Sequence, residues 1–176
     1  DDRGGPKDRT SDPIAQTFFL DTNISSDTDV FISKVDLFFA SKSSTNGVNV
    51  EIRETLNGYP TGITVPFSAV QITPANVLVN SVEGTTETTV IFASPIALKT
   101  NKEYAIVVKP DANDPNYKIW VARTGETDIA SGFVINQDSA AGLLFTSTND
   151  KAWTPYQDED MKFVLYKTSF TSPSGS

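Results

Sequence analysis

Between residues 12 and 170 the apolar side chains recur with period two, in short runs separated by Asn, Asp, Gly, Pro and Ser. Such alternation marks strands with one buried face, because successive side chains of a strand point to opposite sides. The first run is Ile14 to Leu20 (IAQTFFL), and the second is Phe31 to Phe39 (FISKVDLFF), where Phe31, Ser33, Val35, Leu37 and Phe39 share a face. Val48 to Thr55 sets Val48, Val50, Ile52 and Glu54 against Asn49, Glu51, Arg53 and Thr55. Asn57-Gly58-Tyr59-Pro60 then predicts a reversal, in which Gly accepts positive φ and Pro stops the strand. Val77 to Val82 and Thr88 to Phe92 read as a hairpin about Gly84, with Ser94-Pro95 breaking the run before Ile96 to Leu98. Glu103 to Lys109 (EYAIVVK) is the most apolar strand, and across the loop Pro110 to Asn116 it is expected to pair with Tyr117 to Ala122. Phe133 to Ile135, Leu143 to Ser147 and Met161 to Phe170 follow. The one helical candidate is Phe67 to Val70, since no longer segment shows a sustained helical stripe.

Many short strands at turn-punctuated spacing predict an all-β fold, an antiparallel two-sheet sandwich that is jelly-roll-like. A parallel α/β sheet would demand amphipathic helices between its strands. A chain of 176 residues suits one such domain. The sandwich is expected over residues 12–170, between a polar tail or linker at 1–11 (DDRGGPKDRTS) and a second tail at 171–176. The opening reads as a linker trimmed from a longer polypeptide.

Charge and missing residue types narrow the chemistry. With 22 acidic against 14 basic side chains the net charge is −8, so nucleic acid and anionic membranes are disfavoured as partners. No apolar run approaches the roughly 20 residues of a membrane-spanning helix, and membrane insertion is not expected. The chain has no Cys, which removes thiolate zinc sites and thiol nucleophiles, and no His, which removes the commonest general base. A serine nucleophile would have to rely on a Lys or a terminal amine, and no motif announces either. The expectation is a non-enzymatic domain without a cofactor.

Four segments carry a resemblance. They are Asp12-Pro13-Ile14-Ala15-Gln16-Thr17-Phe18, then Val35-Asp36-Leu37-Phe38-Phe39-Ala40-Ser41-Lys42, then Val50-Glu51-Ile52-Arg53 with Asn57-Gly58-Tyr59-Pro60, and finally Trp153-Thr154-Pro155 before Asp160-Met161-Lys162-Phe163. In this order and spacing the chain resembles a β-sandwich module of tailed-bacteriophage virion structural proteins, a part of large tail or baseplate polypeptides. The resemblance implies a structural or interaction role without catalysis. It also implies other virion proteins as partners, possible contact with host-surface glycan, and a place in the virion or outside the cell.

Aromatic rings with nearby Asp, Asn and Arg are the chemistry by which sandwiches hold sugars, since a pyranose face stacks on a ring while its hydroxyls bond the polar groups. The aromatic candidates are Tyr59, Tyr117, Trp120, Trp153 and Tyr156. Trp120 lies mid-strand in YKIWVA, where burial is the plainer reading. The loop Thr148 to Asp160 has no periodic reason to bury its large ring. It makes Trp153, Tyr156, Asp158 and Asp160 the candidate ligand or partner contacts. The competing reading has Trp153 plugging the end of the sandwich. A carbohydrate-binding module is thus the alternative function. Asp111-Asn113-Asp114 and Asp158-Glu159-Asp160 offer hard oxygen ligands that suit calcium, although neither matches an EF-hand loop and a solvated surface explains both. Asp158 and Asp160 also form a carboxylate pair of the kind glycosidases use, but proximity on a loop does not establish that geometry.

Overall fold

A computed structural model of the chain describes residues 13–20, 29–100, 102–123, 142–157 and 159–168. Both expected tails and the strand expected at Phe133 to Ile135 lie outside the described residues. The strands are β1 (Ile14–Phe19), β2 (Asp29–Ser41), β3 (Val48–Leu56), β4 (Tyr59–Thr64), β5 (Val70–Ile72), β6 (Glu87–Lys99) and β7 (Glu103–Pro110). They are followed by β8 (Lys118–Ile119), β9 (Val121–Arg123), β10 (Leu144–Thr146), β11 (Thr154–Tyr156), β12 (Glu159–Met161) and β13 (Phe163–Lys167). The first sheet runs β11-β10-β1-β7-β3-β4, with β5 also on β3. The second runs β13-β2-β6, with β8 also on β2, and β9 and β12 form a short separate ladder. Every one of these ladders is antiparallel. The chain steps from one sheet to the other from β1 to β2, β2 to β3, β5 to β6, β6 to β7 and β7 to β8, so that the two antiparallel sheets form a sandwich.

Period-two patterning sorts the side chains. Phe18, Ile52, Ile106 and Leu144 of the first sheet meet Leu37, Phe39, Ile96 and Leu165 of the second in one core, each at most 1% exposed. Burying a side chain of this size stabilises the fold by about 1.5–3 kcal/mol. Each outer face carries a smaller apolar cluster around a tryptophan. Trp153 packs with Ala15, Val107 and Phe145 over the first sheet. Trp120 packs with Phe38, Ala40 and Val164 over the second, and its indole Nε1 donates to the Asn80 carbonyl at 2.9 Å.

Four local expectations are corrected. Phe67 to Val70 is not a helix: Pro66 and Phe67 form a turn, with Phe67 at φ +70, a conformation a helix does not contain, and Val70 already begins β5. Ser94-Pro95 does not break the strand. β6 runs through it because β6 lies at the end of its sheet, where Pro removes no obligatory ladder donor. The pairing with β2 shifts register opposite it, between Ile32 and Lys34. The Val77 to Val82 arm does not form a hairpin ladder with β6, whose strand partner is β2. Val79 instead makes an isolated bridge to Phe39, while Leu78 exchanges bonds with the Thr88 hydroxyl. Finally, β7 does not pair with residues 117–122, because β1 and β3 occupy its two edges. That segment divides into β8 on β2 and β9 on β12.

Candidate functional site

The loop expected to recognise a ligand is fastened across the outer face of the first sheet. Ser147 and Asn149 fold its start into a local turn, in which Asn149 Oδ1 accepts from the backbone N–H of Lys151 at 3.0 Å and of Ala152 at 2.8 Å. Asp150, held at φ +64, is the next anchor. Its Oδ1 accepts from Arg53 Nη1 at 2.7 Å and its Oδ2 from Lys109 Nζ at 2.8 Å. Arg53 also donates to Glu51 and is only 4% exposed, so the two carboxylates supply the compensation a buried guanidinium requires. Burial opposes ionisation of Asp150, but the bonds from Arg53 and Lys109 outweigh it and hold the carboxyl below its ordinary value.

Trp153 closes this loop and is 8% exposed, so the expectation of an exposed ring is corrected. Ala15, Val107 and Phe145 make an apolar patch on the outward side of β1, β7 and β10, and the indole covers it. Tyr156 sits half-buried in β11, where its hydroxyl lies 3.5 Å from Thr146 Oγ1. Of the other aromatic candidates, Tyr117 is buried and donates to the Asn46 carbonyl at 2.5 Å, and Trp120 is buried as described. Tyr59 is 47% exposed, with its ring 5.3 Å from that of Phe145.

The acidic candidates do not converge. Asp158 lies outside the described residues. Asp160 is buried, and its Oδ1 accepts from Gln16 Nε2 at 3.1 Å while Gln16 Oε1 accepts from the Met161 backbone N–H at 2.7 Å. Gln16 thereby ties the β9–β12 ladder to the first sheet. Burial pushes the Asp160 carboxyl up to about 6, and the Gln16 bond only partly offsets it. Asp111 accepts from Asn49 Nδ2 and Gln71 Nε2, each at 2.6 Å. Asp114 accepts from Asn46 Nδ2 at 2.9 Å and from the backbone and side chain of Asn116, each at 2.8 Å. These bonds, that from Asn46 foremost, lower Asp114 to about 2. Both carboxylates thus serve as structural acceptors, Asp111 tying its turn to β3 and β5 and Asp114 tying the same loop to the segment before β3. Among the described residues no group of three or more His, Cys, Asp or Glu is placed to hold a metal ion.

Two features escaped the sequence pattern. The first is a flank where edge strand β5 of the first sheet meets edge strand β6 of the second. Of the nine exposed large apolar side chains among the described residues, eight lie between Leu56 and Ile91, including Ile63, Phe67, Leu78 and Val82. β5 and β6 face each other there across a groove of about 430 Å³, lined by Val70, Ile72, Leu78, Val90 and Ile91 with four polar residues. The second is a polar cleft of about 350 Å³ at the end of the first sheet, between the Asp111–Asn113 turn and the loop at Thr148 to Asp150. No family model matches the chain, and neither a curated protein nor a solved structure matches it. Among the described residues no helix is long and apolar enough to cross a membrane.

Proposed function

We propose that this domain is a non-catalytic structural and interaction module of a tailed-phage virion, in the tail or baseplate, and that it docks on neighbouring virion proteins through its β5–β6 flank. The observation that carries the docking part is the apolar groove between β5 and β6 with two exposed apolar side chains, Leu78 and Ile91, on its lining. Ile91 is 67% exposed and Leu78 52%. Scattered single apolar residues are ordinary on a surface, but an adjoining set beside an apolar groove marks a contact site. The backbone adds to it, since the outer side of β6 pairs with no strand among the described residues and offers ladder donors and acceptors to a neighbour. What supports a virion as the setting is the ordered resemblance of the four segments between Asp12 and Phe163.

Immunogold electron microscopy of phage particles from the source of this chain, with an antibody raised against the domain, tests this reading. Gold at one fixed position on the particles, at the tail end, is the expected result. Particles without gold while the host fraction carries the antigen would overturn it.

A further inference from the structure

The polar cleft at the end of the first sheet differs in chemistry from the apolar groove, which it adjoins through the Gln71–Asp111 bond. It is lined by Asn49 of β3 with Lys109 and Pro110 of β7. One lip is the Asp111–Asn113 turn, and the other is Thr148, Asn149 and Asp150, with Pro13 also in the lining. Its charged groups are already matched. Lys109 Nζ lies 2.8 Å from Asp150 Oδ2, the remainder of that carboxylate faces Arg53, and Asp111 is held by the Asn49 and Gln71 amides. An ionic ligand would therefore compete with bonds that exist, whereas a neutral one would not.

The uncommitted hydrogen-bonding capacity sits on the two lips. The Asn113 side chain and the Thr148 hydroxyl are exposed and bond no protein group among the described residues, and the Asn149 amide keeps its N–H₂ while its oxygen caps the turn. Ala112 places a small exposed apolar surface between these groups, over the buried Pro13 and Pro110. The lips are also held in an unusual backbone state, with Ala112 at φ +57, Asn113 at φ +51 and Asp150 at φ +64. Non-glycine residues adopt this region at a cost, and it recurs where a loop is shaped for contact.

We infer that the cleft binds one residue of a neutral sugar, whose C–H surface rests on Ala112 and whose hydroxyls bond Asn113, Thr148 and Asn149. The volume is at the lower end of the range for small-molecule sites, as one pyranose requires. With no aromatic ring in its lining, the cleft recognises hydroxyl positions and does not stack, so affinity for a single sugar is about millimolar.

The test is a ¹H–¹⁵N NMR titration of the full chain with the methyl glycosides of glucose, galactose, mannose and N-acetylglucosamine. Glucuronate and calcium chloride serve as charged comparisons. The expected result is saturable shifts with at least one neutral glycoside, confined to amides near residues 109–113 and 148–150. Asn113→Gly and Thr148→Val should each weaken that binding by about tenfold, while both variants melt within about 2 °C of the parent because the residues are exposed and Gly accepts the φ +51 of position 113. Three results would each overturn the inference. They are no saturable shift with any neutral glycoside at about 100 mM, unaltered affinity in both variants, or tighter saturation of these amides by glucuronate or calcium than by every neutral sugar.

Discussion

Trp153 illustrates how a residue's surroundings decide its role. Its neighbours in sequence are polar, yet its neighbours in space are Ala15, Val107 and Phe145, which come from β1, β7 and β10. Nothing local to Lys151–Tyr156 announces that patch, because the alternation of β1 and β7 identifies a second face without saying what covers it. Truncating the ring removes a buried aromatic, so Trp153→Ala should cost about 3–5 kcal/mol and lower the melting temperature by several degrees. Differential scanning calorimetry measures this, and a melting temperature within a degree of the parent's would place the ring in solvent. Trp120 was readable as buried for the opposite reason: it lies inside a strand run.

Asp160 gives a pH signature of known sign. An unfolded Asp titrates near 4, and burial raises this one to about 6. The folded state thus keeps a proton that the unfolded state releases between the two values. The stabilisation from that proton is complete below about pH 4 and is lost as pH rises through 6. Asp160→Asn keeps an acceptor for Gln16 Nε2 without the charge, so the variant should equal the parent near pH 3 and exceed it by about 1–3 kcal/mol at pH 8. Urea unfolding across that range reports it, and a variant less stable than the parent at pH 8 would show that the ionised carboxylate has a stabilising partner. Asp114 works in the other direction, its contribution being present above about pH 4 and lost as pH falls towards 2.

Among the elements, the long strands were legible because a two-residue period repeated over six or more positions has no other physical explanation. β1, β2, β3 and β7 lie where the alternation predicts them. The two-residue turn between β3 and β4 was also readable. Asn57 at φ +53 and Gly58 at φ +83 match the left-handed backbone that a tight hairpin demands. β4 itself was hidden, since Pro60 reads as a stop and yet suits an edge strand. Gly58→Ala keeps the strands and strains the turn, so it should lower stability by about 1–2 kcal/mol through the urea midpoint with an unchanged slope. A changed slope would mean that the ladder and not the turn had altered. Strands of three residues such as β5, β11 and β12 are too short for any period to show, whereas β8, β9 and β10 fall within the expected runs at 117–122 and 143–147 with other partners than the sequence suggested. Their pairing is set by long-range packing.

At the scale of the whole molecule, the two sheets place most of their apolar residues in the common core and in the two tryptophan-centred patches, and a further apolar groove lies between β5 and β6. The flank was not visible in the sequence because Val70, Leu78 and Ile91 look there like ordinary strand and turn positions. Only the meeting of edge strands from different sheets brings them together. The central claim is that this side holds the domain to its neighbours. The measurement that tests it most directly is incorporation of the Leu78→Asp/Ile91→Asp double variant into purified particles, quantified by immunoblot beside its melting temperature. Both positions are exposed, so the variant should melt within about 2 °C of the parent while incorporation falls by about tenfold or more. Incorporation at the parent's level by a folded double variant would contradict the account.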